Sequence, residues 1–466
     1  MRFGAVAILG SVIGVFVGLA CASLSDAAPP ASASEIQLPM IQIAASGAME
    51  LRPPKGDALL VDIPAYNAPE LAEGELGVLA YHYATHVYLK PDPKPRTLGL
   101  VRRGTLLRAA KIVDGPGCGR GKWYALPGQG YACEGKGFST TPEDLSDLHQ
   151  RRPNVRRGLP FRYGKVNSRS ALRYYHLPSQ QDEDSSLQAL ASGKTLPRIV
   201  ADKLDGDYFV AIDREESDGE RRFYRTVLGR YLRVGDVDLR PEPPMQGTLL
   251  SDQVKLPLAF VFGEPEAPLL KLKGGRPAAV GRAIKHARFH AVGEGSWGDE
   301  EVVVAEEGYA VQREHIRLAR RRARPKGIGS QDKWLHVDLS RQTLVAYRGD
   351  DPVFATLVST GRKGHDTPTG LFYVREKHKT TTMRGSDTTG PFEVGEVPWT
   401  MFYKGSYALH GAYWHNDFGN VRSHGCINLA PVDARWLFHF TDGALPTGWH
   451  ARRNLKSTAL YVTRGT

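Results

Sequence analysis

Residues 423–428 read Ser423-His424-Gly425-Cys426-Ile427-Asn428, and sixteen residues before the cysteine stands His410-Gly411, closing the apolar run Tyr407-Ala408-Leu409. A thiol becomes a nucleophile at neutral pH only with a base beside it, and an imidazole within hydrogen-bond reach supplies one. Gly425 lets the backbone turn sharply before the thiol, leaving its amide and that of Cys426 to face the oxyanion of a tetrahedral intermediate. The combination points to acyl transfer through a thioester. Two alternatives compete. His410, His415, His424 and Cys426 are residue types that bind zinc, but no CxxC or HxxxH spacing accompanies them, so no metal and no cofactor is expected. Cys426 as a plain buried cysteine is the other, against which stand its histidine, serine and glycine neighbours.

Outward from this stretch the patterns are β. Leu335, Val337 and Leu339 alternate with His336, Asp338 and Ser340, which predicts a half-buried strand. Leu344–Tyr347, Ala355–Ser359, Leu371–Val374 and Leu460–Thr463 read as further strands. One helix is expected after Pro431, where Ala434, Leu437 and Phe438 fall on one face. Trp399, Tyr403, Tyr413 and Trp414 suit either the core or the rim of a cleft. Upstream, short β runs between turn residues from Leu76 to about Phe138 predict a small barrel. An apolar strand, a turn and a Gly-(x)-Tyr strand recur in Trp123–Ala132, Phe223–Leu232 and Val304–Val311. They suggest β modules at 76–138, 158–240 and 255–320. Pro178–Gly193 reads as a loop or short helix, and the basic run Arg317–Lys326 as a solvated helix end and linker.

The chain has 466 residues, of which 50 are glycine and 31 proline, a composition that favours short strands joined by many turns. A hydrophobic content of 41% excludes a mainly disordered chain. The net charge of +11 suits an acidic partner. Met1-Arg2, the uncharged run Ala5–Ala20 and the small-x-small site Ala20-Cys21-Ala22 read as a secretory signal over residues 1–22, with an uncleaved anchor or a lipid on Cys21 as alternatives. Export to the periplasm or cell envelope makes nucleic acid an unsuitable partner, and membrane contact is limited to the signal or that lipid. Residues 23–75, opening on an Ala/Pro/Ser stretch, read as a tether. Of the four cysteines, Cys118 and Cys133 share a Gly-rich hairpin segment and are paired here, a loop worth about 3 kcal/mol in the chain-entropy model. Cys426 is left over.

The string His410-Gly411…Gly419…Ser423-His424-Gly425-Cys426-Ile427-Asn428 resembles the signature of the YkuD-type L,D-transpeptidase catalytic domain. Ser359-Thr360-Gly361, Thr367-Pro368-Thr369-Gly370 and Val397-Pro398-Trp399-Thr400-Met401 extend the likeness over a catalytic domain at 331–465. The first β module is similar to bacterial SH3-type modules. The fold this implies is mainly β, with a C-terminal β-sandwich-like domain preceded by small SH3-like barrels. The resemblance implies Cys426 as nucleophile on a peptidoglycan stem tetrapeptide, expelling D-Ala, and His410 as base, oriented by a carbonyl near Gly411. His424 and Gly425 would shape the oxyanion site, with Ser423 and Asn428 supporting loop and substrate. A second stem peptide would accept the acyl group as a 3→3 cross-link, and the β modules would contact the wall. Many relatives carry Arg where this chain has Asn428. An L,D-carboxypeptidase, a protein-to-wall transferase and a wall-binding scaffold with an inactive catalytic domain are the alternatives.

Overall fold

The computed structural model describes residues 40–43, 49–52, 67–94, 96–140, 152–168, 170–387 and 390–465. The expected signal peptide, residues 1–22, lies outside the described residues. Among the described residues no helix is long and apolar enough to cross a membrane.

The C-terminal domain packs one sheet over another. The first runs, in spatial order, Thr248–Leu249, Asp351–Leu357, Thr343–Arg348, Lys333–Asp338, Ala459–Thr463 and Gly370–Tyr373. The second contains the long hairpin Glu376–Asp387/Gly390–Lys404, followed by Tyr407–Gly411 and Ile427–Leu429. Leu335, Val337, Leu344, Ala346 and Phe354 from the first sheet meet Trp399, Met401, Leu409, Ile427 and Leu429 from the second in one apolar core. Helix Pro431–Phe440 covers that core with Ala434, Leu437 and Phe438. Proline suits its first turn, where an amide hydrogen would find no partner inside the helix.

The strand Lys333–Asp338 is not half-buried, as the alternation predicts, but buried on both faces, with His336 6% and Asp338 5% exposed. His336 Nε2 meets Thr463 Oγ1 at 2.9 Å, and the Arg322 N–H donates to Tyr347 Oη of the adjoining strand. The polar face is thus covered by the chain arriving from upstream. The basic run Arg317–Lys326 does that covering and is no solvated helix end. Ile316–Ala319 is a strand, the Arg317 guanidinium lies 3.6 Å over Phe262, and Arg324 pairs with Asp350 at 3.1 Å.

Three small β units precede this domain. In each, a strand, a tight turn, a second strand and a single 3-10 turn follow in order: Trp123–Leu126 with Gly130–Cys133, Arg221–Thr226 with Tyr231–Arg233, and Glu300–Ala305 with Ala310–Gln312. The turns are closed by equivalent bonds, Gln129 N to Leu126 O at 3.0 Å, Gly229 N to Thr226 O at 2.8 Å and Gly308 N to Ala305 O at 3.0 Å. The recurrence in sequence is therefore a recurrence of hairpins. Cys118 and Cys133 form a disulfide in the first unit. In the second, Gln180–Ala191 is a helix opened by a capping box, in which Ser179 and Asp182 each satisfy the other's backbone amide.

The stretch read as a tether is partly structured. Met49–Arg52 pairs in parallel with Arg276–Ile284 of the third unit and antiparallel with Met40–Ile43. Leu51 is wholly buried in the third unit's core, and Glu50 is held by Arg282 at 2.5 Å. An apolar residue alternating with a paired charge is enough to add a strand to the third unit's sheet there.

The units are joined to the C-terminal domain by backbone as well as side chains. Trp449–Arg452 pairs with Thr97–Arg102 of the first unit, and Trp449 sits inside that unit's core with Val78, Val87, Val101 and Tyr124. Its indole N–H donates to Gln129 Oε1 at 2.7 Å. Truncation of a buried tryptophan costs about 3–5 kcal/mol. Trp449→Ala is expected to lower stability by about that amount and to let the first unit melt before the rest; chemical denaturation followed by two probes, one in each part, reads this.

Candidate active site

The parallel pairing of Tyr407–Gly411 with Ile427–Leu429 sets Leu409 against Ile427 and His410 against Asn428. Cys426, one residue before its strand, therefore lies level with Ala408, one pleat from His410 on the same side. His410 is 2% exposed, and its Nδ1 donates to the Gly411 carbonyl at 3.3 Å. A carbonyl only accepts, so the proton resides on Nδ1 and Nε2 is the free base. Burial pushes the His410 pKa down to about 4, so the ring is neutral at pH 7. Burial also raises the Cys426 thiol, against a smaller opposing effect of the Ala408 backbone. The thiol is half-buried and points to Ser406 O at 3.7 Å. The resting groups are thus a thiol and a neutral imidazole.

The loop before Cys426 is held from both sides. Ser423 Oγ donates to the Cys426 carbonyl at 2.6 Å and accepts from Gly425 N at 3.0 Å. Ser423 N and Arg422 N donate to Thr360 O at 3.0 and 2.9 Å, while Arg362 N donates to Ser423 O at 3.0 Å. Ser359 exchanges both backbone bonds with Asn428, at 2.9 and 2.8 Å. Thr367 Oγ1 donates to Gly425 O at 2.8 Å and accepts from Gly361 N at 2.9 Å. Ser359–Gly361 and Thr367 thus clamp the loop before Cys426. Gly425 adopts φ +113°, and a Cβ there would stand 2.5 Å from the Tyr407 ring, so only glycine fits.

Two expectations change. The Gly425 amide, expected to face an oxyanion, is already engaged by Ser423 Oγ; the Cys426 N–H has no hydrogen-bond partner among the described residues. Asn428 is 2% exposed and its carboxamide lies 3.0 Å from His415 Nε2. His415 Nδ1 accepts from Asp417 N at 3.2 Å, and the atom of Asn428 that faces His415 Nε2 is its Nδ2, while Asn428 Oδ1 is buried without a partner among the described residues. Asn428 therefore braces His415. Gly411 lies against Pro398 and Pro431, with no room for a side chain to swing toward the thiol.

His424 is surrounded by residues that the sequence reading did not single out. Arg362 Nη2 donates to its Nε2 at 2.9 Å, His365 meets it edge-on at 4.7 Å, and Phe392 stacks on it at 5.1 Å. None belongs to the Ser423–Asn428 string, and only their arrival from other strands reveals them. Of the aromatics, Trp399, Tyr403 and Tyr413 are core residues, at most 2% exposed. Trp414 lies at the rim, 5.6 Å from the His410 ring. The Tyr403 hydroxyl is buried without a partner, and the nearby Cys426 is a secondary reason that it resists ionisation. Among the described residues no group of three or more His, Cys, Asp or Glu side chains is placed to hold a metal ion. The cavity of about 850 Å³ between the first unit and helix Pro431–Phe440 is lined by Arg102, Lys379 and Trp449 and does not include Cys426, so size is no guide to the chemistry here.

With a raised thiol and a neutral His410, alkylation of Cys426 by iodoacetamide is expected to rise steadily from about pH 6 to about pH 8.5, because thiolate alone reacts. Acylation by an activated ester, which uses His410, is expected to fail only on its acid side near pH 4, where His410 takes up a proton. An acid limb near the ordinary histidine value would contradict this; pH–rate profiles of the two reactions read it.

Residues 332–455 match the YkuD family, described as the L,D-transpeptidase catalytic domain. L,D-transpeptidase 1 of Mycobacterium tuberculosis is 28% identical over 114 residues, 22% of this chain and 43% of that protein. The chain thus spans less than half the length of the curated relative it matches. Among solved structures, a mutant L,D-transpeptidase of Enterococcus faecium shows 26% identity over 29% of this chain and 50% of its own, with a TM-score of 0.24. L,D-transpeptidase 1 of M. tuberculosis shows 19% over 36% and 73%, with a TM-score of 0.21. By this family match, the C-terminal part of this chain, residues 332–455, is an L,D-transpeptidase catalytic domain of the YkuD family.

Proposed function

We propose that the protein is an exported peptidoglycan L,D-transpeptidase that forms 3→3 cross-links through a thioester on Cys426. The observation that carries this reading is the parallel pair Tyr407–Gly411/Ile427–Leu429, which sets Cys426 and the basic Nε2 of His410 on one side of one sheet. Cys426 Sγ attacks the carbonyl carbon at the L-centre of a stem tetrapeptide as its proton passes to His410 Nε2. The Cys426 N–H faces the oxyanion that forms. Collapse breaks the C–N bond, and D-Ala leaves with the proton from His410. An amine of a neighbouring stem then attacks the thioester, its proton goes to His410, and the thiol is restored. Burial keeps His410 unprotonated at pH 7, so its Nε2 is free to accept the proton. The net charge of +11 and the β units support contact with an anionic wall.

Purified protein incubated with disaccharide-tetrapeptide is expected to give a dimer whose mass equals two donors less one D-Ala. Cys426→Ala is expected to abolish it, and His410→Gln to slow it by about 10²–10⁴-fold, the usual worth of a general base. A tripeptide product would assign the chain to carboxypeptidase chemistry instead. Turnover retained by Cys426→Ala would overturn the reading.

A further inference from the structure

The hairpin Glu376–Asp387/Gly390–Lys404 reaches over the nucleophile loop, and Phe392 near its tip stacks on His424 with 23° between the rings. His424 is two residues from Cys426 in the chain, and the Phe392 ring covers the His424 side of that loop. An isolated two-stranded hairpin is marginally stable in water. This one is not isolated. Strand Asp207–Asp218 of the second β unit adds to it in parallel, pairing Asp207 with Phe392, Tyr208 with Glu393 and Phe209 with Val394.

Side chains fix the same junction. Glu393, 6% exposed, receives Arg173 Nη1 at 2.9 Å and Arg384 Nε at 2.7 Å. Arg173, 8% exposed, also holds Asp202 through a two-pronged contact at 2.8 and 2.5 Å. Gly206, at φ +143°, lets the Pro391 carbonyl come within 2.2 Å of where a Cβ would stand. The second unit reaches the other wall too. Phe209 packs edge-on against Tyr413 at 6.1 Å and lies 6.2 Å from Trp414, which borders His410. One strand of an upstream unit therefore touches Phe392, which covers His424, and Trp414, which borders His410.

We propose that Phe392 is a specificity-determining residue for the acyl donor, and that Arg173 of the second β unit is the positioning residue that holds it there through Glu393. The proposal rests on the transpeptidase reading for its substrate, a stem peptide lying along the Phe392–His424 wall. It goes further in making the second β unit part of the donor site. Loss of Arg173 leaves Glu393 buried with its charge only partly answered, and the hairpin tip loosens while Cys426 and His410 keep their sheet.

The test uses the full chain and compares wild type with Arg173→Met, Arg173→Lys and Phe392→Ala. Two readouts are taken: amide hydrogen exchange across residues 390–394, and donor saturation on disaccharide-tetrapeptide. Arg173→Met is expected to speed exchange in that segment by about 10-fold or more. It is also expected to raise the donor KM by about 10-fold with kcat nearly unchanged, the pattern of lost binding without lost chemistry. Arg173→Lys, which keeps the charge but not the fork, is expected to fall between. Phe392→Ala is expected to raise KM while exchange at Glu393 and Val394 stays near wild type. Wild-type exchange and wild-type KM in folded Arg173→Met would overturn the proposal, as would a fall in kcat alone. If Arg173→Met does not fold, Arg173→Lys carries the exchange readout and Phe392→Ala the KM readout. A wild-type protein that turns over no tetrapeptide refutes the transpeptidase reading, while the exchange contrast still decides whether Arg173 holds the hairpin.

Discussion

Three backbone pairs, Leu409 with Ile427, His410 with Asn428 and Gly411 with Leu429, run in parallel through the middle of the catalytic domain. Parallel neighbours need a long crossover, and here the crossover is the segment that carries Trp414, His415 and the nucleophile loop. The pairing places thiol and imidazole on one side, and the core behind it, Leu409 and Ile427 among its members, keeps the ladder from slipping. A slip of one residue would turn Cys426 away from His410. Burial of His410 on the face opposite that core keeps its ring neutral.

The loop before Cys426 is held almost wholly by backbone and hydroxyl groups, from Thr360, Thr367 and Ser423. That economy explains its composition. Small side chains with short-range hydrogen bonds fix a tight turn without filling the space that an acyl donor must enter. The larger groups, Phe392, Arg362 and Trp414, come from elsewhere and stand around it. Glu396 ties the roofing hairpin to the first unit through Arg102 at 2.9 Å, and its carbonyl accepts from Tyr163 Oη of the second at 2.8 Å. Both Glu396, at φ 49°, and Trp399, at φ 56°, hold left-handed backbone within a strand. Such conformations persist where surrounding contacts over-determine them.

Much of the site was legible because its chemistry is local. Ser423–Asn428 names a thiol, a turn glycine and their hydroxyl support within six residues, and the hairpin recurrence in the three β units has a local signature of strand, turn and tyrosine. What escaped was long-range. Nothing near Asp207 announces a parallel partner at Phe392, and nothing near Leu51 announces a place in the third unit's core. The alternation at 333–338 was read correctly as period two but wrongly as half-buried, because the cover over His336 comes from a basic run that resembles a linker. Gly425 was legible as a turn residue, whereas the capture of its amide by Ser423 depends on a side-chain rotamer that spacing does not reveal.

The account stands on an activated Cys426 within an open donor cleft. The most direct test is the intact mass of the protein, lacking residues 1–22, after incubation with a carbapenem, beside Cys426→Ala. A β-lactam ring presents an acyl carbon that a thiol with a neighbouring base opens without needing a second substrate. The account predicts a single covalent adduct on the wild type and none on the variant. An unmodified wild-type protein that is folded and has a free thiol would contradict it, and so would an adduct that persists in Cys426→Ala.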